Sequence, residues 1–236
     1  MTITRRVRGV ARWAALGLGA AAAGYAVLAA MAWQRYGHAV VPKGSEGDPI
    51  LDRFMPMYDV AERHHIRVAA SAAATLDAAA AGNLQQSAIV RAIIRTRELV
   101  LGAAHDPTAQ SQGLLADMQA IGWRILAEEP GREIVMGAVT QPWRATVTFL
   151  GLSPQAFMDF CEPGYVKIAW TLRADPIDDG ATLFRTETRV VATDPEARAR
   201  FRWYWARFSP GIVVIRKMLL PQVKRTAEAR SSRVHS

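Results

Sequence analysis

The run Thr193-Asp194-Pro195-Glu196 constrains this chain more than any other, because it is a strong start signal for a long helix around which the rest is organised. Asp194 can cap the free N–H groups, Pro195 suits the first helical position, and Glu196 favours the positive end of the helix dipole. Beyond it Phe201, Trp205, Phe208, Ile212, Ile215, Leu219 and Val223 recur at spacings of three and four, while Arg198, Arg200, Arg202, Arg207, Arg216, Lys217 and Lys224 take other faces. The helix is expected to reach about Arg225, with one stripe buried against something large. Ser209-Pro210-Gly211 should kink it, since proline removes a helical hydrogen bond and crowds the preceding turn.

The partner is a sheet. Tyr58 to Val68 reads as a strand whose Val60, Ile66 and Val68 share a face with Glu62 and His64. Ser71 then caps a helix that runs to Ala81 and ends at Gly82-Asn83. A second helix is expected from about Leu84 to Leu101, on Ile89, Ile93, Ile94, Val100 and Leu101, with His105-Asp106-Pro107 breaking it. Trp123 to Glu128 and Arg132 to Val139 form a hairpin whose Glu129-Pro130-Gly131-Arg132 suits a type II turn. A third strand is expected over Ala145 to Leu150, then a short helical turn from Ser153-Pro154. Val166, Ile168, Trp170 and Leu172 next alternate with polar neighbours, and the loop Asp175 to Gly180 leads into a strand over Ala181 to Ala192. In that last strand Arg185, Glu187 and Arg189 share one face, which implies burial on one side only. The sum is an α+β architecture: an antiparallel sheet with one covered face, two helices after the first strand, and a long helix at the end.

This order resembles the helix-grip fold of the START, or SRPBCC, superfamily, which includes polyketide cyclase and Bet v 1 relatives. The likeness is to bacterial members of undefined function. It is carried by Glu129-Pro130-Gly131-Arg132-Glu133, Pro163-Gly164-Tyr165-Val166-Lys167, Arg185-Thr186-Glu187-Thr188-Arg189 and Thr193-Asp194-Pro195 through Phe201 and Trp205. It covers residues 58–228 and implies a curved sheet wrapped on a kinked helix, with a cavity between them. Fold-level likeness assigns no activity.

The formal charge of +8 is unevenly spread: +5 lies before Tyr36 and +5 from Arg216 onward, leaving about −2 for the middle. A nucleic-acid face needs clustered base on the folded body, so no nucleic-acid partner is expected. Trp13 to Trp33 holds no charge and would span about 30 Å as a helix. With four arginines before it and a tryptophan at each end, it reads as a transmembrane anchor with a cytoplasmic N-terminus and an extracytoplasmic C-terminal domain, in the cytoplasmic membrane. A cleaved signal, with Ala30-Met31-Ala32 as its site, and a buried Ala-rich helix are the alternatives. The expected division is a basic flank over 1–12, the span over 13–33, a linker over 34–57, the folded domain over 58–228 and a basic tail over 229–236.

Seven aromatics on elements that should face each other, Trp123, Trp143, Phe149, Trp170, Phe184, Trp205 and Phe208, suggest an apolar ligand cavity, and the same residues could equally fill a core. Arg144 is a candidate polar anchor at its mouth. His64 and Glu187 are the candidate proton-transfer groups, although the Arg185, Glu187, Arg189 set more often makes a solvated outer face. His64 and His65 point to opposite sides and cannot share a metal, and Cys161 is the one cysteine, with no base beside it in sequence. No metal site, cofactor motif or phosphate loop is found. The leading expectation is a membrane-anchored module that binds or transfers a lipid-like or aromatic small molecule without chemistry. A cyclase- or aromatase-type enzyme using the same cavity and a filled-core interaction module are the rivals. Oligomeric state is left open.

Overall fold

The computed structural model describes residues 2–36, 47–82 and 111–234. The helix expected between Leu84 and Leu101, and the break after it, lie outside the described residues.

The sheet is built from local signals that hold. Between β2 (Arg124–Glu129) and β3 (Glu133–Thr140), Gly131 takes φ +72° and the Arg132 N–H donates to the Glu129 carbonyl at 3.0 Å, as a Pro-Gly turn requires. The third strand is shorter than expected. Of the expected span only Phe149–Leu150, β4, is strand and pairs with β3, and the residues before it form a loop that Thr140 holds by donating its hydroxyl to the Thr148 carbonyl at 2.8 Å. β5 (Val166–Asp178) and β6 (Ala181–Ala192) form a hairpin longer than the alternation indicates. Its ladder continues through Pro176, opposite Thr182, and the expected loop shrinks to a tip at Asp179-Gly180, with a register shift between Pro176 and Asp178 absorbing the missing N–H. β1 (Val60–Val68) pairs with β6, giving an antiparallel sheet in the order β1-β6-β5-β3-β2.

The C-terminal helix, α6 (Pro195–Val234), starts where the sequence places it. Asp194 Oδ1 accepts the N–H groups of Glu196 at 2.8 Å and Ala197 at 2.9 Å, while its other oxygen accepts the Gly164 N–H, tying the helix start to the turn before β5. The N–H groups of Ala197 foremost, then of Gly164, hold the Asp194 carboxyl below the usual carboxylate range. α6 keeps Pro210 and Pro221 inside it and runs well past the expected end near Arg225. Its later turns, as far as Ala227, are held because Leu219, Leu220, Val223 and Ala227 are buried with Val68, Leu172 and Phe184 and with α3 (Ala72–Ala80). Its first turns bury Ala197, Phe201 and Trp205 against Val60, Val166 and Val190. A long helix lying on one face of an antiparallel sheet fits a helix grip.

The other sheet face is also covered, which corrects the expectation of burial on one side. α2 (Pro49–Phe54) and α5 (Pro154–Asp159) lay Leu51, Phe54 and Phe157 on Leu126, Val135, Val139 and Ala169. Every residue of β3 is buried as a result. α2 starts on Asp48, whose Oδ1 accepts the Leu51 N–H at 2.8 Å, followed by Pro49. α4 (Leu114–Ala120) closes one end of the inner face.

The N-terminal segment is a helix, α1 (Thr2–Tyr36). Among the described residues, however, no helix is long and apolar enough to cross a membrane. The expected transmembrane span, its cytoplasmic N-terminus, the extracytoplasmic placement of the domain and membrane partnership through this helix are therefore set aside. Alanine and glycine make up most of Trp13 to Trp33 and carry little apolar surface per residue. The end of α1 instead packs on the body. Ala32 is buried and Trp33 partly buried beside Val190, Phe201 and Trp205, and the Tyr25 hydroxyl donates to the Arg207 carbonyl.

Candidate functional site

Between α6 and the inner sheet face lies a cavity of about 190 Å³, lined by Leu114, Met118, Trp123, Trp170, Ile212, Ile215, Arg216 and Leu219. β5 positions Trp170 in a row that reads Glu62, Thr188, Trp170, Met136 across four strands. Trp123, just before β2, meets Trp170 edge to face at 6.2 Å and Phe149 at 5.3 Å. Its buried indole N–H has no acceptor among the described residues. Three of the four α6 wall residues belong to the apolar stripe read from the sequence.

Arg216 is the fourth, and the sequence pattern assigns it to another face. Its guanidinium lies 5.5 Å from the Trp170 ring centre and donates to Thr186 Oγ1 at 3.0 Å. Burial pushes its pKa down from the usual arginine value, and the Glu62 charge partly opposes that. Glu62 is 1% exposed. Its Oε1 bonds His64 Nε2 at 2.7 Å, while Oε2 is buried without a hydrogen-bond partner among the described residues. Glu62, His64, Thr186, Thr188 and Arg216 thus form a polar stripe, with one apolar cluster on the Leu219 side and another on the Phe201 side. Ile212 and Arg216 are four apart, so the spacing that places Ile212 inside places Arg216 there too.

Of the expected pocket aromatics, Trp123 and Trp170 line the cavity. Phe149 packs behind Trp123, and Phe184 is fully buried in the same cluster. Trp143 and Trp205 belong to the other cluster, and Phe208 stacks on Tyr204 at 4.9 Å. Arg144 is exposed in the loop before β4 and does not reach the cavity wall. His64 lies on the inner face and Glu187 on the outer one, so the structure does not bring the two proton-transfer candidates together.

The outer charges are not solvated, which corrects that part of the expectation. Arg189 is fully buried and Glu187 is 5% exposed, because α2 and Tyr58 cover them. Arg189 Nε donates to Glu187 Oε1 at 2.6 Å, its Nη1 donates to Asp52 Oδ1 at 2.5 Å and to the Met55 carbonyl at 2.8 Å, and the guanidinium sits 4.6 Å from the Tyr58 ring centre. Arg63 adds a second donor to Glu187 Oε1 at 2.7 Å. Next to this set, Arg173 Nε lies 2.8 Å from Asp175 and 3.7 Å from Glu133, and its Nη1 donates to the Gly47 carbonyl at 3.0 Å. Arg185 meets the same Asp175 at 3.0 Å. Glu133 is 2% exposed, and burial first, then its hydrogen bond with Asp48, raises its pKa to about 8.

A larger opening of about 740 Å³ lies beside the end of α6, among Ser71, Asp179, Glu228 and Arg230, away from all the aromatics named above. Cys161 is exposed. Among the described residues no group of three His, Cys, Asp or Glu side chains is placed to hold a metal ion.

No protein-family model matches the chain, and no curated protein matches it. Solved structures to which it is similar include CalU16 from Micromonospora echinospora, 15% identical, covering 75% of this chain and 89% of that one with a TM-score of 0.26. Zhui aromatase/cyclase from Streptomyces sp. R1128 is 17% identical, covering 72% of this chain and 94% of that one, also with a TM-score of 0.26. At that TM-score neither likeness assigns a family or an activity.

Proposed function

We propose that this protein binds a small, ring-sized apolar molecule between α6 and the sheet. The observation that supports it is the cavity of about 190 Å³, with two tryptophans and five aliphatic or thioether side chains in its wall and a single charge. A dry apolar cavity of about 150 Å³ takes up benzene, so this volume suits one or two rings better than an acyl chain. We assign that task to the unit expected over 58–228, with Trp123 and Trp170 in contact with the ligand. Titration of the full chain with 2-naphthalenemethanol should quench tryptophan fluorescence saturably. Ile215→Phe, which fills the cavity from α6, should weaken that binding at least tenfold while leaving the far-UV spectrum unchanged. Undiminished binding to Ile215→Phe would move the site elsewhere.

A second reading makes the same cavity an enzyme of the cyclase or aromatase type, with His64 moving a proton. The His64 Nε2 to Glu62 Oε1 bond of 2.7 Å, on the cavity side of β1, favours it. Under this reading the protein accelerates deuterium exchange at the carbon next to the carbonyl of 2-tetralone, followed by NMR, and His64→Ala loses the acceleration. No acceleration by the wild-type chain removes this reading and leaves binding alone.

A further inference from the structure

The inner face carries a cation that the described residues leave largely unanswered. A guanidinium has five N–H donors, and Arg216 places one on Thr186. Glu62 acts on it through space, but one oxygen of that carboxylate is committed to His64. The remaining Arg216 donors border the cavity, where the other lining side chains are apolar or indole. Arg216 is half-buried, so its free donors lie at the cavity wall open to an incoming group, and a carboxylate can take two guanidinium N–H groups in one planar pair. The second observation is independent. Trp123, across the cavity, has a buried indole N–H with no acceptor among the described residues, although tryptophan N–H groups are usually paired when buried. Both polar features of the wall are donors. A hydrocarbon would answer neither, and an amine would oppose the first.

We infer that the cavity selects a small aromatic acid, holding its ring against Trp123, Trp170 and Leu219, its carboxylate on Arg216, and a second oxygen acceptor on the Trp123 N–H. Arg216, stacked on Trp170 and braced by Thr186, is then the specificity-determining residue, and Trp123 reads the substituent. This rests on the binding reading above and narrows its ligand class.

The test uses three probes of matched size on the full chain, followed by calorimetry: 2-naphthoate, its neutral counterpart 2-naphthalenemethanol, and 6-hydroxy-2-naphthoate. The expected result is that 2-naphthoate binds at least tenfold more tightly than the alcohol, and that Arg216→Gln erases the difference. The hydroxyl should add about threefold, a step that Trp123→Phe removes. Equal binding of acid and alcohol to the wild-type chain overturns the inference and leaves the apolar site standing. Binding of neither, in a chain that melts cooperatively, overturns both. Should Arg216→Gln fail to fold, the wild-type ratio alone decides, and a hydroxyl step that survives Trp123→Phe overturns the part assigned to that indole.

Discussion

Two arginines, the fully buried Arg189 on the outer face and the half-buried Arg216 on the inner, show how differently the two sides of one sheet use the same side chain. Arg189 is met by Glu187, by Asp52 and by the Met55 carbonyl, with an aromatic ring against its plane. Arg216 has a ring and one hydroxyl. β6 separates the two worlds by simple alternation, since Thr186 and Thr188 face inward while Glu187 and Arg189 face outward. The first arginine is a tie between α2 and the sheet, and the second is a donor held ready. The two differ in what already answers the charge as well as in burial.

Stability measurements can break that comparison. Arg189→Met should cost the most, about 3 kcal/mol by urea denaturation, because it leaves the buried Glu187 with Arg63 alone and cuts the tie to the half-exposed Asp52 of α2. A cost below about 1 kcal/mol would mean that the outer network is not a tie. Glu133 comes next. Its folded pKa, raised to about 8, lies above its unfolded value, so its contribution is fully present below the ordinary glutamate range and is lost as pH rises through 8. Stability should fall between the ordinary glutamate range and about pH 8 and level off above it, and Glu133→Gln should flatten that slope. The smallest effect is expected at Arg216, where Arg216→Met should change stability by no more than about 1 kcal/mol in either direction. A loss as large as that at Arg189 would make Arg216 a structural residue and remove the contrast.

What the sequence reveals follows the range of the forces involved. The Pro130-Gly131 turn, the cap at Asp194 and the alternation of Val166 to Leu172 are short-range features, and each appears in place. α2 hides inside an expected linker. Its six residues are too few for periodicity, and part of what holds it, Arg189, lies far along the chain. The Asp48-Pro49 pair that starts it is nonetheless the same signal that marks Asp194-Pro195. The last turns of α6 escape the pattern because Ala227 buries no large side chain, only close packing. At the site, the aromatic content is legible and its division is not. Seven aromatics are expected around one cavity, but the polar stripe under α6 splits the inner face, so Trp205 and Trp143 serve one cluster and Trp123 and Trp170 the other. Arg216 reads as a surface charge, although its step of four from Ile212 points inward.

The pairing of β1 with β6 also fixes the order in which this protein can be made. Val60 finds its partner in Val190, so the edge strand synthesised early waits for about 130 further residues before its ladder can close. Even then the inner face is open, because four residues of the cavity wall come from a forty-residue helix that follows the whole sheet in the chain. Until it arrives, Trp123 and Trp170 are uncovered apolar surface of the kind on which nascent chains associate wrongly. The pocket can close only after the sheet is complete, and a chain cut short before α6 would carry half of its wall.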